Sequence, residues 1–169
     1  MTPRGLWLRL GSGIGGAAAA LALVDVPPPA EPTVSLLAAV CLGLAAGLVL
    51  FAALAQQVPP LPTPKPAGRW LIRLSFVVVW AAVEEIFWRW LALGLVAAAA
   101  GWPLALAGSS IAFAVVHRVG KASQLATGAT FGVVYLATGR LLAAVAAHAT
   151  YNLVLAEALA RIRPRAQPA

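Results

Sequence analysis

From Val34 to Ala55 the chain reads VSLLAAVCLGLAAGLVLFAALA, a stretch of apolar and small residues without a single charge. A helix needs about 20 predominantly apolar residues to cross the hydrocarbon core of a bilayer. No water satisfies backbone N–H and C=O groups in that core, so only helices or closed barrels can span it. The pattern recurs along the chain: six apolar segments stand at about 6–24, 34–55, 71–100, 104–117, 122–138 and 141–160. Only 10% of the 169 residues are charged and 62% are hydrophobic, whereas soluble domains carry about 25% charged residues. The expected fold is therefore all-α, a polytopic membrane helix bundle of about six transmembrane helices forming one integral-membrane domain over 1–169.

The connections support this division. DVPPPAEP separates the first two segments and QQVPPLPTPKPAGR the next two, both rich in proline, which has no backbone donor to leave unsatisfied. The remaining links, AGWP, HRVGK and TGR, are short. Lysine and arginine gather on the cytoplasmic side of membrane helices. Arg4 and Arg9, then Lys65, Arg69 and Arg73, then Arg118 and Lys121, then Arg161, Arg163 and Arg165 alternate across the segments, which predicts both termini in the cytoplasm. Arg140 is the loop exception. The net charge of +7 is thus a topology signal and does not point to nucleic acid. The stretch from Leu10 to Val24 reads as a first span in preference to a cleaved signal.

Three further features bound the reading. The lone Cys41 excludes a disulfide framework or a cysteine metal site and is expected to be a small buried hydrophobe. The pairs Gly11/Gly15, Gly43/Gly47 and Gly128/Gly132 permit close helix contact, within the chain or across a homo-oligomer face. GSGIGG at 11–16 matches a dinucleotide-binding pattern literally, but that pattern has meaning only between a strand and a helix.

Against this background AAVEEIFWRW, residues 81–90, sets two of the five acidic residues side by side in an apolar run. Ionisable residues inside a span are expensive and mark function by default. Those present are Glu84, Glu85, Arg89, His117 and His148, with Asn152 as a polar companion; Glu157 falls near the last segment's end and is expected at the interface. Glu85 and Arg89 lie four apart, on one helical face, and can pair. Glu84 is turned about 100° away and is left for chemistry. Phe113 and His117, and likewise His148 and Asn152, are also four apart. At 1.5 Å per residue, the three helices can bring a carboxylate, two imidazoles and an amide to similar depths.

Three motifs in order, EEIFWR as E-E-x-x-x-R, FAVVH as F-x-x-x-H and HATYN as H-x-x-x-N, resemble the signature of the CPBP family of intramembrane glutamic endopeptidases, relatives of the CAAX prenyl endopeptidase. The resemblance covers about 70–155, leaving 1–60 as two accessory spans. It implies a metal-independent protease without cofactor. Glu84 would be the base, His117 would help hold the water, and His148 with Asn152 would form the oxyanion hole. Glu85 and Arg89 would position Glu84, and Phe113 would pack around the site. The implied partners are a membrane-anchored protein or peptide substrate and the lipid bilayer. The alanine- and arginine-rich composition is bacterial in character, which suggests an inner-membrane, multi-pass protein. The alternatives are a zinc metalloprotease using the same histidines and a glutamate, although H-E-x-x-H is missing, or a non-catalytic scaffold or bacteriocin-immunity protein.

Overall fold

The computed structural model describes residues 3–28, 31–61, 66–118 and 120–162; Lys65, Arg163 and Arg165 of the topology pattern lie outside them. Every regular element among the described residues is helical: α1 (Pro3–Leu23), α2 (Leu36–Ala55), α3 (Ala67–Glu85), a π segment (Ile86–Leu93), α4 (Gly94–Ala100), α5 (Trp102–Val116), α6 (Lys121–Thr138) and α7 (Leu141–Ile162). Backbone angles stay in the right-handed helical region at Glu85, Ile86, Leu93 and Gly94, so α3, the π segment and α4 form one unbroken rod. The described residues make a bundle of six rods, close to the six apolar segments. Gly5–Leu23, α2 and α7 are long and apolar enough to cross a membrane by length and composition, and α5 is a shorter apolar helix.

Local chemistry sets the boundaries. Ser35 caps α2 by accepting the Ala38 N–H at 3.2 Å, satisfying one of the donors a helix start leaves open. Gly139 ends α6 in a left-handed conformation at φ +63°, with its N–H donating to the Tyr135 carbonyl. A side chain there would also collide with the Glu31 backbone, so both conformation and space demand glycine. That turn is tied to the loop between α1 and α2: Thr33 Oγ1 donates to Ala137 O at 2.7 Å and Arg140 Nε donates to Val34 O at 2.8 Å. Arg140, the exception to the topology pattern, thus holds two loops together.

In lipid, helices associate through close packing more than through the hydrophobic effect. A Cβ on Gly43 or Gly47 would strike the carbonyl oxygen of Ala143 or Ala147, so α2 lies directly against the backbone of α7. Gly128 approaches Ser110 and Gly132 approaches Leu106, joining α6 to α5 in the same way. Gly13 and Gly16 set α1 on Val83 and on the Phe87 ring, while Gly11 and Gly15 meet nothing within 4 Å. Two of the three small-residue pairs therefore serve packing within the chain. Leu50, Leu93, Ala105, Phe131, Tyr135, Ala144 and Ala147 form the main core. Cys41 corrects an expectation: it is exposed on α2, because the buried face of that helix is the glycine face. Glu157 is buried and pairs with Arg73 at 3.3 Å, joining α7 to α3.

Candidate active site

The two adjacent glutamates occupy the last two positions of α3, immediately before the backbone widens into the π segment. π turns are rare and often occur at functional sites, because the inserted backbone re-aims the side chains that follow. Arg89 lies within this segment and is 1% exposed, beside Glu85, which is not exposed at all.

Arg89 is enclosed from several sides. Its Nη2 donates to the Gly128 carbonyl at 3.0 Å. Nε lies 3.1 Å from Glu85 Oε2, an ion pair by distance although the N–H is not aligned as a hydrogen bond. The guanidinium carbon stands 4.9 Å from the Phe113 ring centre and 5.6 Å from that of Phe131, where ring faces attract a cation. Removing such a charge from water is expensive unless a partner compensates it, and Glu85 is that partner.

Glu85 has a second duty. Its Oε1 lies 2.7 Å from Nδ1 of His148, which reaches in from α7. A carboxylate only accepts, so Nδ1 carries the proton and the ring's orientation is fixed. His148 stacks on Phe131, ring centres 4.8 Å apart and planes at 21°. Its other nitrogen, Nε2, faces Glu84 Oε2 at 3.6 Å. Glu84 differs from its neighbour in access: its side chain is 18% exposed. Its Oε1 accepts the indole N–H of Trp80, one turn earlier on α3, at 2.5 Å.

The remaining predicted residues lie around this cluster. Phe113 is a hub, its ring centre 4.3 Å from that of His117, 6.3 Å from that of His148 and 5.8 Å from that of Trp88. His117 terminates α5, and its Nδ1 lies 2.6 Å from the Phe113 carbonyl oxygen. That oxygen can only accept, which places a proton on Nδ1; in the neutral ring the Nε2 lone pair is then available. Lys121 at the start of α6 fastens this helix end by donating to the carbonyls of Ala114 at 3.1 Å, Val115 at 2.7 Å and His117. Asn152 sits one turn beyond His148 on α7, half-buried; its amide has no hydrogen bond among the described residues.

Glu84, Glu85, Arg89, Phe113 and His148 thus form one contact network. His117 joins it through Phe113 without a hydrogen bond to either glutamate. Trp80, Phe131, Lys121 and the Gly128 carbonyl belong to the site but lie outside the three motifs. Of these only Trp80 has a sequence signal, its four-residue spacing from Glu84. The geometry offers a carboxylate with one oxygen anchored and one presented, a facing imidazole nitrogen and an amide nearby.

Comparison with known proteins adds one match: residues 66–154 fit the family model described as type II CAAX prenyl endopeptidase Rce1-like. No curated protein and no solved structure matches the chain.

Proposed function

The chain belongs to the type II CAAX prenyl endopeptidase Rce1-like family, and from that premise we propose that it hydrolyses a peptide bond of a membrane-associated protein or peptide through water activated by Glu84. The family and the apolar helices make it an integral-membrane endopeptidase. The roles of individual residues are our reading of the geometry.

The observation that carries this reading is the asymmetry of the two glutamates. Glu85 is wholly enclosed by Arg89 and His148, whereas Glu84 is partly exposed and presents Oε2 toward His148 Nε2. A general base must be reachable by the water whose proton it takes. Glu84 removes that proton as the water oxygen bonds to the scissile carbonyl carbon. It then returns the proton to the departing amine nitrogen as the C–N bond breaks. His117, with Nε2 unprotonated, accepts a hydrogen bond from the water's second hydrogen.

The carbonyl oxygen becomes an oxyanion, which preorganised donors stabilise. Asn152 supplies an amide N–H, unclaimed by other groups among the described residues. His148 supplies Nε2–H when both ring nitrogens are protonated. Glu85 and Arg89 position the others and touch no substrate atom. Glu85 is committed to Arg89 and His148, which leaves Glu84 as the carboxylate of the pair available for chemistry.

The test compares the termini of membrane proteins by mass spectrometry in cells carrying the wild type or Glu84→Gln at matched expression. We expect specific new termini under the wild type that vanish with Glu84→Gln while the variant still inserts. Identical termini in both would remove Glu84 as the base.

A further inference from the structure

We propose that Trp80 is a positioning residue for Glu84. Its indole N–H holds Oε1 and so dictates that Oε2 meets the reacting water. The inference rests on the hydrolytic reading above and assigns it a residue outside the three motifs.

The indole Nε1–H is a donor only and has no proton-transfer chemistry of its own. It donates to Glu84 Oε1 at 2.5 Å, and a bond to an ionised acceptor is stronger than one between neutral groups. The terminal torsion of a glutamate is broad and nearly two-fold, so an unanchored carboxylate exchanges its oxygens and samples many planes. Anchoring one oxygen selects a plane and leaves the other facing His148 Nε2 at 3.6 Å. The anchor is itself held. The Trp80 ring stacks on Phe76, centres 6.3 Å apart and planes 7° from parallel, and Gly13 of α1 leaves room for its outer edge. Spacing explains how the sequence achieves this: Phe76, Trp80 and Glu84 are four apart and line one face of α3. A tryptophan at 80 is therefore placed to act on Glu84, whereas Trp70 on the same helix is exposed.

Displacing a reacting group by about 1 Å can cost a hundredfold in rate. Trp80→Phe keeps the ring stacking on Phe76 and deletes only the donor. The experiment uses the full chain in lipid nanodiscs with ¹⁵N-labelled indoles, whose N–H protons resonate further downfield when strongly hydrogen-bonded. One of the six tryptophan resonances should lie downfield, disappear in Trp80→Phe and move upfield in Glu84→Gln. In cells, the rate at which Glu84-dependent termini appear should fall about ten- to a hundredfold with Trp80→Phe, at unchanged protein level and thermal midpoint. Restoring a ring donor with Trp80→His should recover part of that loss.

A Trp80→Phe rate within twofold of wild type overturns the inference, as does an indole spectrum indifferent to Glu84→Gln. Should Trp80→Phe fail to accumulate, the wild-type and Glu84→Gln spectra decide alone, because one indole signal either moves or does not. Failure of the underlying reading looks different: Glu84→Gln would then cleave at the wild-type rate. An inactive Glu84→Gln beside a fully active Trp80→Phe would overturn the role of Trp80 only.

Discussion

Replacing Glu85 by glutamine should destabilise the bundle through Arg89. The substitution is nearly isosteric, so it creates no cavity, and the new side chain can still accept the His148 Nδ1–H through its amide oxygen. What it removes is the countercharge 3.1 Å from a guanidinium that is 1% exposed. Breaking a buried pair from one side costs about 3–5 kcal/mol because the other charge is left uncompensated. Arg89 keeps its bond to the Gly128 carbonyl and its two aromatic faces, which places the expected loss near the lower end, about 3 kcal/mol. For a chain of this size each kcal/mol shifts the midpoint by about 2–4 °C, so the predicted fall is about 6–12 °C. Intrinsic fluorescence during heating in detergent or nanodiscs measures it. The second arm is Glu85→Gln with Arg89→Leu, in which no buried charge remains at either position. Removing both partners of a buried pair is often near neutral, so most of the lost midpoint should return. A midpoint for Glu85→Gln within about 2 °C of wild type, or a double variant no more stable than the single, would refute the claim that charge compensation holds this cluster together.

Gly47→Ala should loosen α2 from α7, because its Cβ would strike the Ala147 carbonyl oxygen; overpacking of this kind costs about 1–3 kcal/mol. Gly15→Ala, where the added methyl meets nothing, should not lower the thermal midpoint in the same melt and should raise it by up to about 4 °C, because alanine suits a helix interior better than glycine. Lys121→Met removes the ammonium that gathers three carbonyls at the end of α5 and should slow cleavage about tenfold through misplaced His117, with little change in stability; a wild-type rate of terminus formation would speak against it. Incubation with a strong chelator should leave the cleavage rate of purified protein intact, whereas loss restored by added zinc would favour the metalloprotease alternative.

Much of the bundle was legible because lipid leaves a chain few choices. Apolar length, proline-rich loops and the positive φ at glycines such as Gly139 restrict where helices begin and end, and the six segments match the six rods within a few residues. The pairing of Glu85 with Arg89 was legible too, since spacing along one helix is a local property. What was not legible depends on contacts between distant segments. Glu85 and His148 are 63 positions apart, and nothing local in either motif announces that one carboxylate serves both an arginine and an imidazole. Phe131, which stacks on His148, lies in FGVVYLATGR, where its side chain looks like any membrane-facing or core aromatic. The π segment was invisible because its residues carry no proline or glycine to mark a change of winding. Cys41 was misplaced because an almost uniformly apolar helix such as α2 hides its inward face, which is set here by Gly43 and Gly47.

Glu84, as the group that activates water, is the residue on which the proposed chemistry depends. The direct measurement uses purified wild type, Glu84→Gln and Glu85→Gln in nanodiscs, acting on a peptide that spans a cleavage site found in cells, with the thermal midpoint read on the same samples. Glu84→Gln should lower the cleavage rate by about a thousandfold or more with the midpoint nearly unchanged, while Glu85→Gln should lose stability and activity together. A Glu84→Gln variant that cleaves within about threefold of the wild-type rate would contradict the account.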